Sequence, residues 1–111
     1  MRTIKVIVAR VGQEPVIEEV EDSLSGMQAV VGGYIERVQL SETVDMWLNE
    51  EGRITGLTMN RLVPDEYGRQ WDICGDLFLA SHNQEGDTVS LSNADQDKWM
   101  ARIKDAQDLS D

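Results

Sequence analysis

Two adjacent segments of opposite charge and strand-like pattern constrain this chain more than any other feature. Residues 1–11 carry three bases (Arg2, Lys5, Arg10) and no acid. Residues 12–22 carry five acids (Glu14, Glu18, Glu19, Glu21, Asp22) and no base. Thr3 to Val11 is rich in β-branched residues and sets Ile4, Val6 and Val8 at period two, the spacing of one strand face. Gly12-Gln13 marks a turn, and Pro15 to Val20 reads as the returning strand. A hairpin of the two sets bases across from acids, which is mildly stabilising.

Asp22 or Ser23 can cap a helix in which Leu24, Met27 and Val31 make one apolar stripe. Gly32-Gly33 ends it, since glycine readily takes the left-handed conformation at a helix C-terminus. Gly26 inside it costs roughly 1 kcal/mol against alanine, so packing must hold this short helix. Tyr34 to Leu40 reads as a third strand and Val44 to Asn49 as a fourth. Asn49-Glu50-Glu51-Gly52 reads as a hairpin loop, with Arg53 to Leu57 returning as a strand. Met59 to Arg69 contains Pro64, Asp65 and Gly68 and reads as mostly loop. Trp71 to Ala80 reads as one apolar strand and Thr88 to Leu91 as a short one. Asn93 opens a final helix, with Gln96 three residues on as an approximate capping box and Trp99, Ile103 and Ala106 as its apolar stripe. Residues 108–111 read as a frayed tail. Strands outnumber helices and neighbours are hairpin-connected. The expectation is one α+β domain over residues 1–107: a mostly antiparallel, hairpin-rich sheet with a short helix after strand 2 and a C-terminal helix packed on it.

The 111 residues hold 21 acids and 10 bases, a net charge of −11. That argues against direct nucleic-acid binding, which needs a basic surface. The single cysteine excludes an internal disulfide and cysteine-built zinc sites. No apolar run has the length of a membrane span and no signal-peptide pattern is seen, so a cytoplasmic protein is expected.

Candidate chemistry is sparse. His82 precedes a turn and reads as exposed, whereas Cys74 falls in an apolar strand and reads as an inert core thiol. No nucleophile–base pair is recognisable, and a non-enzymatic protein is expected. Glu85, Asp87, Asp95 and Asp97 read as solvated acids without an EF-hand pattern, so no metal is expected. Gly32-Gly33 follows a helix, whereas a phosphate-cradling glycine loop precedes one; no cofactor is expected. Asn60 and Arg61 are the sharper candidates. An arginine there could grip a carboxylate or phosphate, with Tyr67 and Trp71 as a stacking wall. The alternative pairs Arg61 with Asp65 or Glu66 and puts Trp71 in the core. The acids Glu18, Glu19, Glu21, Glu50 and Glu51 form a candidate interaction face able to imitate nucleic-acid phosphates. The alternative is that they serve solubility alone.

Val31-Gly-Gly-Tyr-Ile-Glu36, Asn49-Glu-Glu-Gly52, Gly56-Leu57, Asn60-Arg61 and Gly75-Asp76-Leu77-Phe78, in this order and spacing, resemble domain-of-unknown-function family 3846 (DUF3846). The resemblance runs from the first strand to about residue 100. A proline often precedes the Asn-Arg pair in that family; here Thr58-Met59 stands there. The resemblance implies an accessory protein of phages or mobile elements and carries over no catalytic activity. Three functions follow as expectations. The first is a binding module that acts on a host or phage protein, as in counter-defence. The second is a sponge for a small nucleotide with sites between chains. The third is a regulatory or structural domain without a ligand. Homo-oligomerisation through strand edges stays open.

Overall fold

The charged hairpin forms. In the computed structural model, which describes residues 2–110, β1 (Thr3–Ala9) and β2 (Val16–Glu21) pair antiparallel, with Lys5 opposite Glu19 and Thr3 opposite Glu21. Arg10 donates from both terminal nitrogens to the Glu18 carboxylate, at 2.5 and 3.1 Å, and Arg2 pairs with Asp22 at 3.3 Å. Such partly exposed pairs contribute about 1 kcal/mol or less, so they select register more than they hold the fold.

Helix α1 (Leu24–Val31) is capped by Ser23, whose Oγ accepts from the Gly26 amide at 3.0 Å. Gly32 closes it in the left-handed conformation. The face that packs is Met27, Val30 and Val31; Leu24, assigned to that stripe by periodicity, is 58% exposed. The helix leaves β2 so abruptly that a Cβ on Gly26 would lie 2.4 Å from the Glu21 carbonyl oxygen. That close approach explains a residue that helix propensity disfavours.

The chain continues through β3 (Ile35–Gln39), β4 (Val44–Asn49), β5 (Met59–Pro64), β6 (Gln70–Cys74), β7 (Leu77–His82), β8 (Thr88–Val89), α2 (Asn93–Asp105) and β9 (Gln107–Asp108). The fold is α+β with antiparallel pairing throughout. One sheet has the order β2-β1-β7-β4-β3, with β8 beside β7; the second has the order β6-β5-β9. β1 and β7 are central and buried on both faces. Ile4, Val6, Val8, Phe78 and Ala80 pack under α1. Ile7, Ala9, Leu77 and Leu79 face the other way, onto Trp99 and Ile103 of α2 and Val63 and Ile73 of the second sheet. This two-sided burial accounts for the nearly unbroken apolar runs of both strands.

Four sequence readings need correction. Arg53 to Leu57 is not a strand: residues 50–56 are turns, closed by Thr55 N–H to the Glu51 carbonyl and Leu57 N–H to the Gly52 carbonyl, both 2.9 Å. The edge of β4 that such a strand would need is taken by β7. Met59 to Pro64 is a strand, not loop; Pro64 is tolerated because it is the strand's last residue. The apolar run Trp71 to Ala80 is two strands in different sheets, divided at Gly75-Asp76. The tail is not frayed from Asp108: β9 pairs with β5, and the Leu109 amide donates to the Asn60 carbonyl at 2.9 Å. Asp111 lies outside the described residues. In addition, Ser92 and not Asn93 caps α2, accepting from the Asp95 amide at 3.1 Å.

Gly75 is where the chain passes from one sheet to the other. It has φ +84, and a Cβ there would meet Leu57 Cδ1 at 2.8 Å. Gly75→Ala is expected to lower stability by about 2 kcal/mol, the left-handed penalty for a residue with a Cβ together with the clash. A urea denaturation curve with unchanged slope and a lower midpoint is the readout.

Candidate functional site at the end of the first helix

The Asn60-Arg61 pair is interior. Asn60 is fully buried, and its Nδ2 donates to the carbonyls of Ala9 and Gly75, both at 2.9 Å. Its Oδ1 accepts from Arg61 Nε at 2.8 Å. The rest of the guanidinium reaches the carbonyls of Gln13 at 2.9 Å, and of Arg10 and Ile103 at 3.4 Å. Burial pushes the Arg61 pKa down, and the nearby charges of Asp108 and Glu14 oppose that. The Arg61 guanidinium is turned inward, its terminal donors on backbone carbonyls. It does not make the alternative pairing with Asp65 or Glu66. The Asp65 carboxylate takes Trp71 Nε1 and the amides of Tyr67 and Arg69. Glu66 takes Lys98 and Arg102 of α2, each at 2.6 Å.

The stacking wall is not assembled. Tyr67 stands exposed at the β5–β6 turn. Trp71 packs half-buried against the core, with Arg69 over its ring at 4.3 Å. The five glutamates do not share one face. Strand alternation puts Glu18 on the α1 side of the sheet and Glu19 and Glu21 on the other. Glu50 and Glu51 follow β4, which β1 and β7 separate from β2.

The structure brings together a different set. At the C-terminal end of α1, Gln28, Gly32, Gly33, Tyr34, Asn49, Glu51, Thr55 and Leu57 line a cleft of about 590 Å³. A neighbouring cleft of about 370 Å³ shares Gly32 and Leu57 with it and extends to Val11, Gly75 and Asp76. Four of the five segments that carry the DUF3846 resemblance therefore meet here. The fifth, Asn60-Arg61, supports the Gly75 carbonyl from behind. Asn49 sets the geometry. It is buried, donates to the Val31 carbonyl at 3.2 Å and accepts from the Glu51 amide at 2.8 Å. One side chain thus fixes both the helix end and the turn carrying Glu51.

The charge of this surface is one-sided. A helix C-terminus carries the negative end of the helix dipole, and α1 has no basic residue in its last turn. No lysine or arginine lines either cleft among the described residues. On the far side of the 50–58 turn, Glu36 and Glu50 line a third, smaller hollow. Its one cation, Arg53, is bound to Asp72. Around the same turn Ile54 is 85% exposed, Tyr34 66% and Leu57 37%.

Reading the sequence residue by residue passed over Tyr34, Thr55 and Leu57. Their signal was the order of the family-like segments, which are far apart along the chain. One further reading needs correction, that of His82, whereas Cys74 is the buried thiol expected. His82 is half-buried, not exposed, and its Nδ1 lies 2.8 Å from Oδ2 of Asp45, a carboxylate 2% exposed. The second oxygen, Asp45 Oδ1, has no protein partner. Cys74 is buried and its thiol faces Met59 Sδ at 3.3 Å. No group of three or more His, Cys, Asp or Glu able to hold a metal occurs among the described residues. No described helix is long and apolar enough to cross a membrane.

Fold and cleft together define a small α+β domain organised around one buried polar junction. The chain belongs to the family described as Domain of unknown function (DUF3846), whose model matches residues 4–104. No curated protein and no solved structure shows a significant match.

Asn60→Ala is expected to cost about 2–4 kcal/mol, because it strips partners from two buried carbonyls and from Arg61. Arg61→Met should cost a similar amount. The double variant should lose less than the sum, since the two side chains act as one unit; urea denaturation of all three checks this. The structure also predicts an acid-sensitive fold. Arg10 holds the Glu18 carboxyl below its ordinary 4.5, and Lys98 and Arg102 do the same for Glu66. A carboxyl depressed in the folded state binds fewer protons than in the unfolded chain, so its contribution is present above about pH 4.5 and lost as pH falls through the folded value. The urea midpoint should be flat from pH 7 to about 5 and fall below that.

Proposed function

We propose that this domain is a non-enzymatic binding module that captures a protein partner through the surface around the 50–58 turn. The observation that carries the reading is the exposure of Tyr34 and Leu57 at the clefts where the family-like segments converge, with Ile54 exposed on the same turn at the adjoining hollow. Aromatic and aliphatic anchors at the centre of a contact, with a polar rim, supply most of the energy in protein interfaces. The phage and mobile-element setting implied by the resemblance makes a host protein the partner, as counter-defence would require. Glu50 and Glu51 belong to this surface. Glu18, Glu19 and Glu21 on the edge strand β2 serve register and guard an open sheet edge. Cys74 and His82, each engaged inside the fold, support the non-enzymatic reading. A nucleotide sponge is disfavoured, because a phosphate would meet the C-terminal end of α1 with Glu51 in one cleft and with Asp76 in the other, and no cation lines either.

The test is quantitative co-purification of the tagged full chain from its native cells. Ile54→Asp, at a position too exposed to disturb folding, is expected to lower recovery of the partner roughly tenfold or more. Glu19→Lys with Glu21→Lys should leave recovery unchanged. Equal recovery with Ile54→Asp, or loss only with the β2 variant, would overturn the assignment of the surface.

A further inference from the structure

We propose that the open edge of β3 takes an extended segment of the partner as an added antiparallel strand; this rests on the docking reading above and names the conformation that is recognised. β3 ends the larger sheet, with β4 on one side and, among the described residues, no strand on the other. Its register with β4 fixes which way each backbone group points. The Tyr34 carbonyl accepts from the Glu50 amide, and the Leu40 amide donates to the Val44 carbonyl, both at 2.9 Å. Facing pairs in an antiparallel ladder alternate between bonded and non-bonded, so Glu36 and Val38 also bond to β4. The amides and carbonyls of Ile35, Arg37 and Gln39 therefore point away from the sheet. Such a row is matched by the backbone of another extended chain. The edge has definite ends. Beyond Gln39 the Leu40 carbonyl takes the Glu66 amide at 2.8 Å. At the other end Tyr34 stands in the cleft, and Glu36 lines the hollow beside Ile54. A segment added along Ile35–Gln39 thus continues onto the docking surface.

The opposite edge of the sheet is guarded. The Asp22 amide donates to the Arg2 carbonyl, so by the same alternation β2 turns the backbone of Ile17, Glu19 and Glu21 outward among its carboxylates. β3 has no proline, lysine or bulge to guard it and carries one acid and one base. Charge also selects a partner segment over a second copy. The two-fold antiparallel pairing that overlaps all of β3 sets Arg37 against Arg37, and a shift toward Tyr34 sets Glu36 against Glu36. Like charges directly opposite are destabilising, and each copy brings a net charge of −11. A partner strand can instead set an acid against Arg37, whose side chain is half exposed, and a base against Glu36.

The experiment is a two-dimensional NMR titration of the ¹⁵N-labelled full chain with the peptide acetyl-Thr-Val-Glu-Lys-Val-amide. In antiparallel register its glutamate stands opposite Arg37 and its lysine opposite Glu36. The glutamate N–H then points at β3 and the lysine N–H points away. The expected result is amide shifts at Ile35, Arg37 and Gln39. N-methylation of the peptide glutamate should weaken binding roughly tenfold or more, and N-methylation of the peptide lysine by no more than about twofold. Exchanging the two charged residues of the peptide should weaken it about two- to fivefold. Arg37→Pro should keep the core resonances, because the N–H it removes bonds nothing in the sheet, and should abolish the shifts. Equal effects of the two N-methyl groups, absence of shifts along β3, or shifts at Ile17, Glu19 and Glu21 instead would each overturn the strand addition. Self-association through the β3 amides without peptide would overturn it in favour of a second copy. The outcomes separate this inference from the docking reading. Partner loss with Ile54→Asp alongside equal binding of the two N-methyl peptides would leave the docking surface standing and remove the added strand. Discrimination between those peptides alongside undiminished recovery with Ile54→Asp would keep the added strand and remove the docking surface.

Discussion

A single buried amide holds the two sheets in register with each other. Asn60 lies on β5, yet its Nδ2 bonds the carbonyl that ends β1 and the carbonyl of Gly75, where the chain leaves the second sheet for the first. Its oxygen orients Arg61, and Arg61 reaches the β1–β2 turn and the last turn of α2. A guanidinium so deeply placed is tolerable only with its donors occupied and counter-charge nearby. The chain meets both conditions by folding four distant segments around it. The C-terminal residues pair with β5 for the same reason: Asp108 in β9 stands opposite Arg61, and its charge offsets part of the burial.

The cleft inherits its shape from this junction. At the crossing between sheets Gly75 takes a left-handed conformation and its carbonyl accepts from Asn60 Nδ2, and the crossing places Gly75 and Asp76 beside Leu57 and Gly32. Asn49 performs a smaller version of the same task, joining the end of α1 to the turn after β4. Two interior asparagines thus position a surface whose own residues are mostly exposed. The family-like segments divide between these roles. Some residues build the support, and others, Tyr34, Glu51 and Leu57, are exposed.

Much of the fold was legible because local patterns and tertiary structure agree. The charged hairpin, both helices with their approximate ends, and the strands at 35–39 and 44–49 follow from alternation, capping residues and glycines. Where reading failed, a local signal was outweighed by a distant contact. Pro64 argued for loop, but a proline at the last position of a strand leaves the ladder intact. Arg53 to Leu57 alternated like a strand, but β7 had already taken the place beside β4. Asn60 and Arg61 stood out as unusual residues, and they are; their importance is internal. Nothing local distinguishes an arginine that grips a ligand from one that grips the backbone.

The sequence by itself determined the α+β class, the antiparallel hairpin with bases across from acids, and the acidic net charge, since each depends on composition or on residues close along the chain. Tertiary structure alone decided that one apolar run serves two sheets, that Asn60 and Arg61 are buried, and that segments from residue 11 to residue 76 meet at two adjoining clefts. The physical reason is range. Strand periodicity, caps and turns act over a few residues, whereas a buried polar group finds its partners wherever the folded chain brings a carbonyl within about 3 Å.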